Sequence, residues 1–224
     1  MENSNQPTLI DIKNLTWGYK ELPFILFNKF NFSLYKNDFC VIMGKSGSGK
    51  SSLIKLMIGQ IMPPARTIFY KREDISKYSD LEMQNYRKKI GIVFQDYKLF
   101  DNLTVEENIK YPLKLYKLGQ TIIENKTREM IKKFDLQKHA NIPVKFLSTG
   151  EKQKVGIARA LIHNPEFLIA DEPTGNLNWE HTQQIADEMI AAHTTGNNTI
   201  LLITHDIHLV NYLKAKYKIR LYFM

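Results

Sequence analysis

The feature that most restricts how this chain can fold is the segment GKSGSGKS, residues 44–51, between two apolar segments of different character. The preceding FCVIM is a continuous apolar run typical of a buried strand, and the following SLIKLM has the composition of a helix. A glycine-rich turn from a strand into a helix directs backbone amides at an anion, and this one matches the phosphate-loop (Walker A) pattern G-x-x-x-x-G-K-[S/T]. We expect Lys50 to contact the outer phosphates of a nucleotide and Ser51 to bind Mg²⁺. The residues expected at the phosphates are Gly44, Lys45, Ser46, Gly47, Ser48, Gly49, Lys50, Ser51 and Ser52.

Two later apolar segments, FLIAD and TILLIT, also lead directly into polar side chains. Strands that alternate with helices predict a mostly parallel sheet, and ligands of such sheets lie beyond the carboxyl ends of the strands. The first segment ends in Asp171 and Glu172, and the second in Thr204 and His205. We therefore expect these side chains to share one site with the phosphate loop.

Each of these strand-end residues has a chemical interpretation and a structural one. Asp171 is expected to hold Mg²⁺ and Glu172 to orient or deprotonate an attacking water, although two acids at a strand end can also cap a helix. His205 is interpreted as a γ-phosphate contact and Gln95, after GIVF, as a group for both Mg²⁺ and water. The alternatives are a structural histidine and an ordinary polar turn residue. The expected catalytic residues are Glu172, His205, Gln95 and Lys50, and the expected Mg²⁺ ligands are Ser51, Gln95 and Asp171.

The aromatic residues in WGYK offer a surface for a base. Tyr19 can stack on a purine, because every base has a π-face, and Trp17 is the competing candidate. An aromatic residue in an alternating strand segment more often belongs to the core, so spacing alone does not decide between them.

Composition narrows the class of protein. The 224 residues contain one cysteine, so no disulfide can form within the chain, and Cys40 is expected to pack as a small buried hydrophobe. No apolar run reaches the roughly 20 residues that span a bilayer, and MENSNQPTLI lacks the features of a secretory signal. We therefore expect a cytosolic chain. The net charge of +8 suits anionic ligands, but the basic residues are spread along the sequence, which makes nucleic acid an unlikely partner.

A second segment, LSTGEKQKV, has the chemistry of an anion site without being a phosphate loop. Ser148 and Glu151 have the spacing of a capping box at a helix start, whose free amides attract negative charge. A capping box without any anion site would also explain the presence of Ser148 and Glu151.

The ordered set of motifs resembles the ATP-binding-cassette (ABC) family over essentially the whole chain. The set comprises Tyr19, the phosphate loop, FQD with Gln95, the signature LSTGE, FLIADE, GNLN and THD with His205. The resemblance implies one α/β P-loop NTPase domain with a mostly parallel sheet, an antiparallel β subdomain and a helical subdomain. The core and β subdomain would occupy about residues 1–94 and 164–224, and the helical subdomain about 95–163.

The resemblance also implies how the chain would work. Family members form head-to-tail dimers in which ATP lies between the phosphate loop of one subunit and the signature of the other. Ser148, Thr149, Gly150 and Glu151 would then contact ATP in trans. The chain would hydrolyse ATP with Mg²⁺ while bound to an integral membrane subunit at the inner face of the cell membrane.

Within the family, VGIARAL, ADEPTGNL and GIVFQDYKLFDNLTVEENI are most similar to the FtsE-type cell-division subunits. These act on an FtsX-like membrane partner and are similar to lipoprotein-release and macrolide-export ATPases. A low-turnover, nucleotide-gated binding module is a further alternative, because Thr149 replaces the usual glycine and Asn178 the usual aspartate. A β-branched residue disfavours positive φ and limits close approach, so Thr149 is expected to loosen the closed dimer.

The residues after Gln95 predict a docking surface. Tyr97, Leu99 and Phe100 stand among polar residues, and exposed apolar side chains in a polar frame mark partner sites. The alternative is that they pack inside the helical subdomain. The resemblance implies that this neighbourhood receives a short helix of the membrane subunit.

Overall fold

Nine strands in two sheets organise the part of the chain that the computed structural model describes, residues 7–21, 23–175 and 177–224. The opening residues 1–6, part of the segment tested for a secretory signal, and Asn176 of GNLN lie outside it. The strands are β1 (Thr8–Trp17), β2 (Phe27–Tyr35), β3 (Phe39–Met43), β4 (Ile68–Tyr70), β5 (Glu73–Asp74), β6 (Ile90–Val93), β7 (Phe167–Asp171), β8 (Thr199–Thr204) and β9 (Arg220–Phe223).

The larger sheet is parallel, with strand order β6-β7-β8-β3-β9. Its central strands β7 and β8 are buried along their whole length, because helices or a second sheet cover both faces. The register pairs Met43 with Thr204 and Asp171 with Ile203. The carboxyl ends of β3, β7 and β8 therefore lie side by side, as the sequence predicted.

The smaller sheet is antiparallel, with order β2-β1-β4-β5. Its alternating sequence gives it one apolar face, which includes Ile10, Ile12 and Phe32. That face packs in one core cluster with Leu53 and Met57 of the helix after the phosphate loop. The antiparallel β sheet that the resemblance implied is confirmed within the described residues.

Seven α-helices belong to the described fold. They are α1 (Lys50–Met57), α2 (Asp80–Arg87), α3 (Val105–Lys110), α4 (Gln120–Lys133), α5 (Thr149–Leu161), α6 (Trp179–Gly196) and α7 (Ile207–Lys216). A capping box begins α5 at Ser148, as predicted, and two others begin α3 at Thr104 and α2 at Ser79. The described elements between residues 95 and 163 are helical, in agreement with the character predicted for that region, whereas its exact boundaries stay a prediction.

Two core clusters lie on opposite faces of the parallel sheet. One joins β7 and β8 to α3, α5, α6 and α7, and the other joins the opposite face to α1 and the antiparallel sheet. Cys40 belongs to the second cluster and is fully buried, which confirms its role as a small apolar residue. Burial raises the pKa of its thiol to about 12. No helix of the described residues is long and apolar enough to cross a membrane.

Glu188 of α6 is a partly buried acid whose charge opposes folding. Its Oε2 is buried without a hydrogen-bond partner among the described residues, and burial raises its pKa from 4.5 to about 7. Because the pKa is higher in the folded state, the native protein gains protons that the unfolded chain has released. The contribution of Glu188 to stability therefore falls as pH rises from about 4.5 through about 7.

We expect Glu188→Gln to stabilise the protein at pH 8 by roughly 2 kcal/mol and to change little at pH 4, because glutamine imitates the protonated acid. Urea unfolding at both pH values measures this. The exposed Glu180→Gln of the same helix is the control. An equal effect of Glu188→Gln at the two pH values would contradict a raised pKa.

Candidate active site

The phosphate loop owes its conformation to glycines at its tightest positions. Gly47 and Gly49 have φ of +81° and +95°, in the left-handed region that L side chains rarely adopt. A Cβ on Gly49 would also lie 2.9 Å from Cγ of Leu26. Gly49 is the N-cap of α1, so the loop delivers the chain directly into the helix start, where free amides face an anion.

Lys50 is buried at the centre of this loop. Its ammonium donates to the carbonyl oxygens of Gly44 and Lys45, each at 2.8 Å. The same Nζ lies 3.8 Å from Oε1 of Glu172, and both side chains are nearly inaccessible to solvent. The loop thus fixes a cation next to the acid that ends β7.

Ser51 and Asp171 form a pair suited to a hard cation. The Ser51 hydroxyl donates to Oδ2 of Asp171 at 3.1 Å, and Oδ1 is buried without a hydrogen-bond partner among the described residues. Burial raises the pKa of Asp171, opposed by the Ser51 hydrogen bond, and the carboxylates of Glu172 and Asp96 add to the rise. A buried carboxylate with one oxygen free of hydrogen bonds in the described chain, beside a hydroxyl, offers the oxygen ligands that Mg²⁺ prefers, so these residues fit the metal.

Glu172 has an unusual backbone conformation, and both of its carboxylate oxygens have polar partners. It has φ of +46°, an uncommon conformation for a non-glycine residue. Its Oε2 accepts from the Thr204 hydroxyl at 2.9 Å and from the His205 amide at 3.3 Å, while Oε1 lies 2.6 Å from Nδ1 of His205. The structure therefore brings His205 into direct contact with Glu172, whereas the sequence placed the two residues only at the same edge.

The loop after β6 carries Gln95 to the same edge of the sheet. Val93, the last residue of β6, pairs with Ala170, so Gln95 follows its strand as Asp171 and Glu172 follow theirs. The Gln95 side chain is exposed and makes no hydrogen bond within the described residues. Its geometry is that of an available amide, and its role stays a prediction.

Tyr19 contacts the first turn of α1, directly after the phosphate loop, and Trp17 packs against the Tyr19 ring. The Tyr19 hydroxyl is 3.1 Å from Oγ of Ser52 in α1, and the rings of Trp17 and Tyr19 meet edge to face at 4.6 Å. Trp17 also packs near Phe27, with ring centroids 6.2 Å apart. Of the two candidates, Tyr19 therefore has the direct contact with the loop helix.

The signature forms a rigid helix start. Ser148 accepts from the Glu151 amide at 3.4 Å, while its own amide and hydroxyl donate to the Glu151 carboxylate at 2.8 and 2.6 Å. These hydrogen bonds lower the pKa of Glu151, which also meets Nε2 of His139 at 3.2 Å. Within the described chain, no hydrogen bond or ion pair joins the signature to the phosphate loop of the same subunit.

The two departures from the usual motifs are accommodated locally. Thr149 is the first residue of α5 and is not among the residues with positive φ, so the expected conflict with positive φ is wrong, whereas its effect on close approach in the dimer stays a prediction. The reason is that the helix has already begun there, and right-handed φ suits a β-branched residue. Asn178 is the N-cap of α6 and accepts from the His181 amide at 2.9 Å, the hydrogen bond that an aspartate would make.

A cleft opens beside the Gln95 loop. Its volume is about 540 Å³, and its apolar lining includes Phe94, Phe100, Tyr111 and Leu115. Leu99 is partly buried and packs against the core, and neither Leu99 nor Tyr97 lines this cleft, so the docking role of these two residues stays a prediction. Phe100 does line it and is 42% exposed.

Comparison with known proteins agrees with this geometry. The family model described as ABC transporter matches residues 27–175. The methionine import ATP-binding protein MetN 2 of Bacillus cereus is 42% identical over 178 residues, which are 80% of this chain and 52% of that protein. The cell division ATP-binding protein FtsE of Bacillus subtilis is 32% identical over 189 residues, 84% and 82% of the two chains. The dimeric ATP-binding cassette MJ0796, solved in a post-hydrolysis state bound to ADP and Pi, has a TM-score of 0.82 and 30% identity over 91% of each chain.

These comparisons refine the expectations from the sequence. The likeness to MJ0796 and the family match confirm the α/β P-loop NTPase fold of the ABC type. The chain spans about half the length of the MetN relatives. Identity to MetN 2 is higher than to FtsE, so the resemblance to the cell-division group does not single that group out.

Replacing the buried lysine tests the site. We expect Lys50→Ala to weaken ATP binding roughly 10- to 100-fold, since a hydrogen bond to a charged group contributes about 1.5–3 kcal/mol. Titration with a fluorescent ATP analogue and a thermal melt measure binding and folding. Lys55→Ala, an exposed lysine of the same helix, is the matched control. Unchanged binding by Lys50→Ala would remove this residue from the site.

Proposed function

Because the chain belongs to the ABC family of ATPase domains, we propose that it is the ATP-binding and ATP-hydrolysing subunit of a complex with an integral membrane protein. The observation that carries this proposal is the single cluster of Lys50, Ser51, Asp171, Glu172 and His205 at the ends of three parallel strands. A binding module alone would not require an acid held in a strained backbone conformation beside a lysine and a histidine.

ATP would place its outer phosphates on the loop amides and the Lys50 ammonium. Ser51 and Asp171 would hold Mg²⁺, with Gln95 as a further ligand, and the bound ion would neutralise phosphate charge. Tyr19 would stack on the adenine. The residues of this chain thus bind and orient the nucleotide before any bond breaks.

Glu172 would act on the attacking water. Its Oε1 faces both Lys50 and His205, and Thr204 holds Oε2 in place. The carboxylate would orient the water and accept its proton as the oxygen bonds to the γ-phosphorus and the bond to ADP breaks. His205, hydrogen-bonded to Glu172, would fix the carboxylate and contact the γ-phosphate. The products are ADP and phosphate.

A second copy of the chain would complete the site. Among the described residues, no hydrogen bond or ion pair joins the signature to the phosphate loop of its own subunit, yet its capped helix start is suited to phosphate. Residues 148–151 would therefore bind ATP across a head-to-tail homodimer. Dimeric structures of the cassette MJ0796 support this arrangement.

The membrane partner would dock in the cleft beside Phe100. The cleft is apolar and adjoins the loop of Gln95, so an inserted segment could move a residue of the nucleotide site. The chain would then lie in the cytoplasm, peripheral to the inner face of the cell membrane.

Two candidate functions differ in the substrate that the complex would transport or regulate. An import role is favoured by the identity to MetN 2, a methionine import ATP-binding protein. A role in cell division with an FtsX-like partner, or in lipoprotein release or macrolide export, is favoured by the segments shared with the FtsE type and by the match to FtsE along 82% of its length. Co-purification of the chain with each candidate permease distinguishes them. Steady-state ATP turnover separates any of these roles from a low-turnover nucleotide-gated module.

The proposed dimer predicts that one substitution accumulates the ATP-bound dimer and that a second substitution abolishes it. We expect Glu172→Gln to slow hydrolysis by at least roughly 100-fold, as loss of a general base does, and to accumulate an ATP-bound dimer. Adding Ser148→Arg should abolish that dimer, because it places bulk and charge at the shared phosphate. Light scattering with ATP and Mg²⁺ gives the oligomeric state. Thr121→Arg near the start of α4 controls for an added exposed arginine. A dimer that survives Ser148→Arg would contradict the trans site.

Placing a charged side chain in the cleft tests whether the membrane partner docks there. Phe100→Asp should leave ATP binding unchanged and reduce recovery with membranes that contain the permease, because a carboxylate in an apolar cleft must be desolvated. Cell fractionation with the permease co-expressed measures this, beside a thermal melt. Ile122→Asp, another half-exposed apolar residue outside the cleft, is the control. Equal recovery of the two variants would place the docking surface elsewhere.

A further inference from the structure

The loop that carries Gln95 adopts a conformation that its own sequence disfavours. Tyr97 and Lys98 are consecutive non-glycine residues with φ of +59° and +46°. Two successive residues with a Cβ in the left-handed region require external contacts to hold them. Local hydrogen bonds from the Tyr97 amide to Phe94 and from the Lys98 amide to Asp96 close the turn but leave the outward carbonyls of both residues to be satisfied elsewhere.

Arg159 supplies those contacts from the last turns of α5. One terminal nitrogen of its guanidinium donates to the Lys98 carbonyl at 2.7 Å, and the other donates to the Tyr97 carbonyl at 2.6 Å. The planar group has fixed donor directions, so the two hydrogen bonds set the orientation of both peptide units together. They link residues more than 60 positions apart in the sequence.

The far end of the loop is held separately. The buried Asn108 of α3 accepts from the Phe100 amide at 2.9 Å and donates to the Phe100 carbonyl at 3.1 Å. The near end is fixed where β6 pairs with β7. The segment between these anchors contains Gln95, whose position therefore depends on the turn that Arg159 holds.

We propose that Arg159 is a positioning residue for ATP hydrolysis: by holding Tyr97 and Lys98 in left-handed conformations, it sets where Gln95 meets Mg²⁺ and the attacking water. The inference rests on the proposed function, in which Gln95 serves that site. Arg159 and the signature are both in α5, so the helix that begins at the partner's phosphate also fixes the Gln95 loop of its own subunit.

A second arginine provides a matched control. Arg87 of α2 lines the same cleft and also donates to two backbone carbonyls, those of Ile58 at 3.0 Å and Gly59 at 2.6 Å. Its hydrogen bonds hold the end of α1, and within the described residues it makes none to the Gln95 loop. Removing either guanidinium costs two hydrogen bonds, but only Arg159 bears on Gln95.

The first experiment requires no enzymatic activity. Hydrogen exchange of the ATP-free protein is followed by mass spectrometry for wild type, Arg159→Gln and Arg87→Gln. We expect Arg159→Gln to increase exchange in peptides covering residues 95–100, and Arg87→Gln to leave them at the wild-type level. Equal protection of these peptides in Arg159→Gln and wild type would overturn the proposal. Should Arg159→Gln not fold, Arg159→Lys, which keeps the charge but not the paired donors, is expected to show the same increase.

The second experiment connects the loop to the reaction. We expect Arg159→Gln to lower kcat roughly tenfold, as a small misplacement of a catalytic group can, and to raise the Mg²⁺ concentration for half-maximal turnover while ATP binding is retained. In a Gln95→Ala background the further loss of kcat should vanish, because both changes remove the same positioned amide. If the double variant instead lost kcat by the product of the two separate factors, Arg159 would act independently of Gln95 and the proposal would be overturned. A wild-type chain without ATP turnover would instead refute the proposed function, while the exchange result would still report on the loop.

Discussion

The structure depends on the parallel register of β8 with its two neighbours, β3 and β7. That register places Met43, Thr204 and Asp171 at one edge, so the loop after β3 and the acids of β7 meet without any long connection. Because side chains alternate between the faces of a strand, a slip of one residue would reverse every buried side chain of β8. Residues of β8 contribute to both cores, so such a slip would disrupt packing on both faces of the sheet.

This register brings several charged side chains together at a site with little access to solvent. Lys50, Asp171 and Glu172 are all nearly buried, and burial of charge is unfavourable unless partners compensate it. Lys50 and Glu172 are compensated by loop carbonyls, a hydroxyl and a histidine. Asp171 retains one oxygen without a partner in the described chain, so the site is already arranged to gain from a cation. Preorganisation of this kind stabilises charge during a reaction at little reorganisation cost.

The sequence predicts those parts of the fold and site that local chemistry decides. The phosphate loop, the buried strands and the capping boxes at Thr104 and Ser148 follow from spacing within a few residues, and the structure has them.

Contacts between residues far apart in the sequence could not be predicted in this way. The hydrogen bond from Thr204 to Glu172 and the bonds from Arg159 to residues 97 and 98 depend on how sheets and helices pack. The same limit explains Leu99, whose apolar character fits a core and a docking surface equally well. For α7, the starting signal was present at Asp206, which accepts hydrogen bonds from the amides of His208 and Leu209.

The helix α5 has a consequence for how two nucleotide sites would communicate. It runs from Thr149 to Leu161, roughly 20 Å of a nearly rigid rod at 1.5 Å per residue. In a head-to-tail dimer one end would lie at the ATP of the partner and the other would hold the Gln95 loop of its own ATP. Any free energy with which the first nucleotide shifts that rod must appear, with equal size, as a change in the affinity for the second. Cooperativity between the sites would then be a mechanical property of one helix, present before any membrane protein is bound.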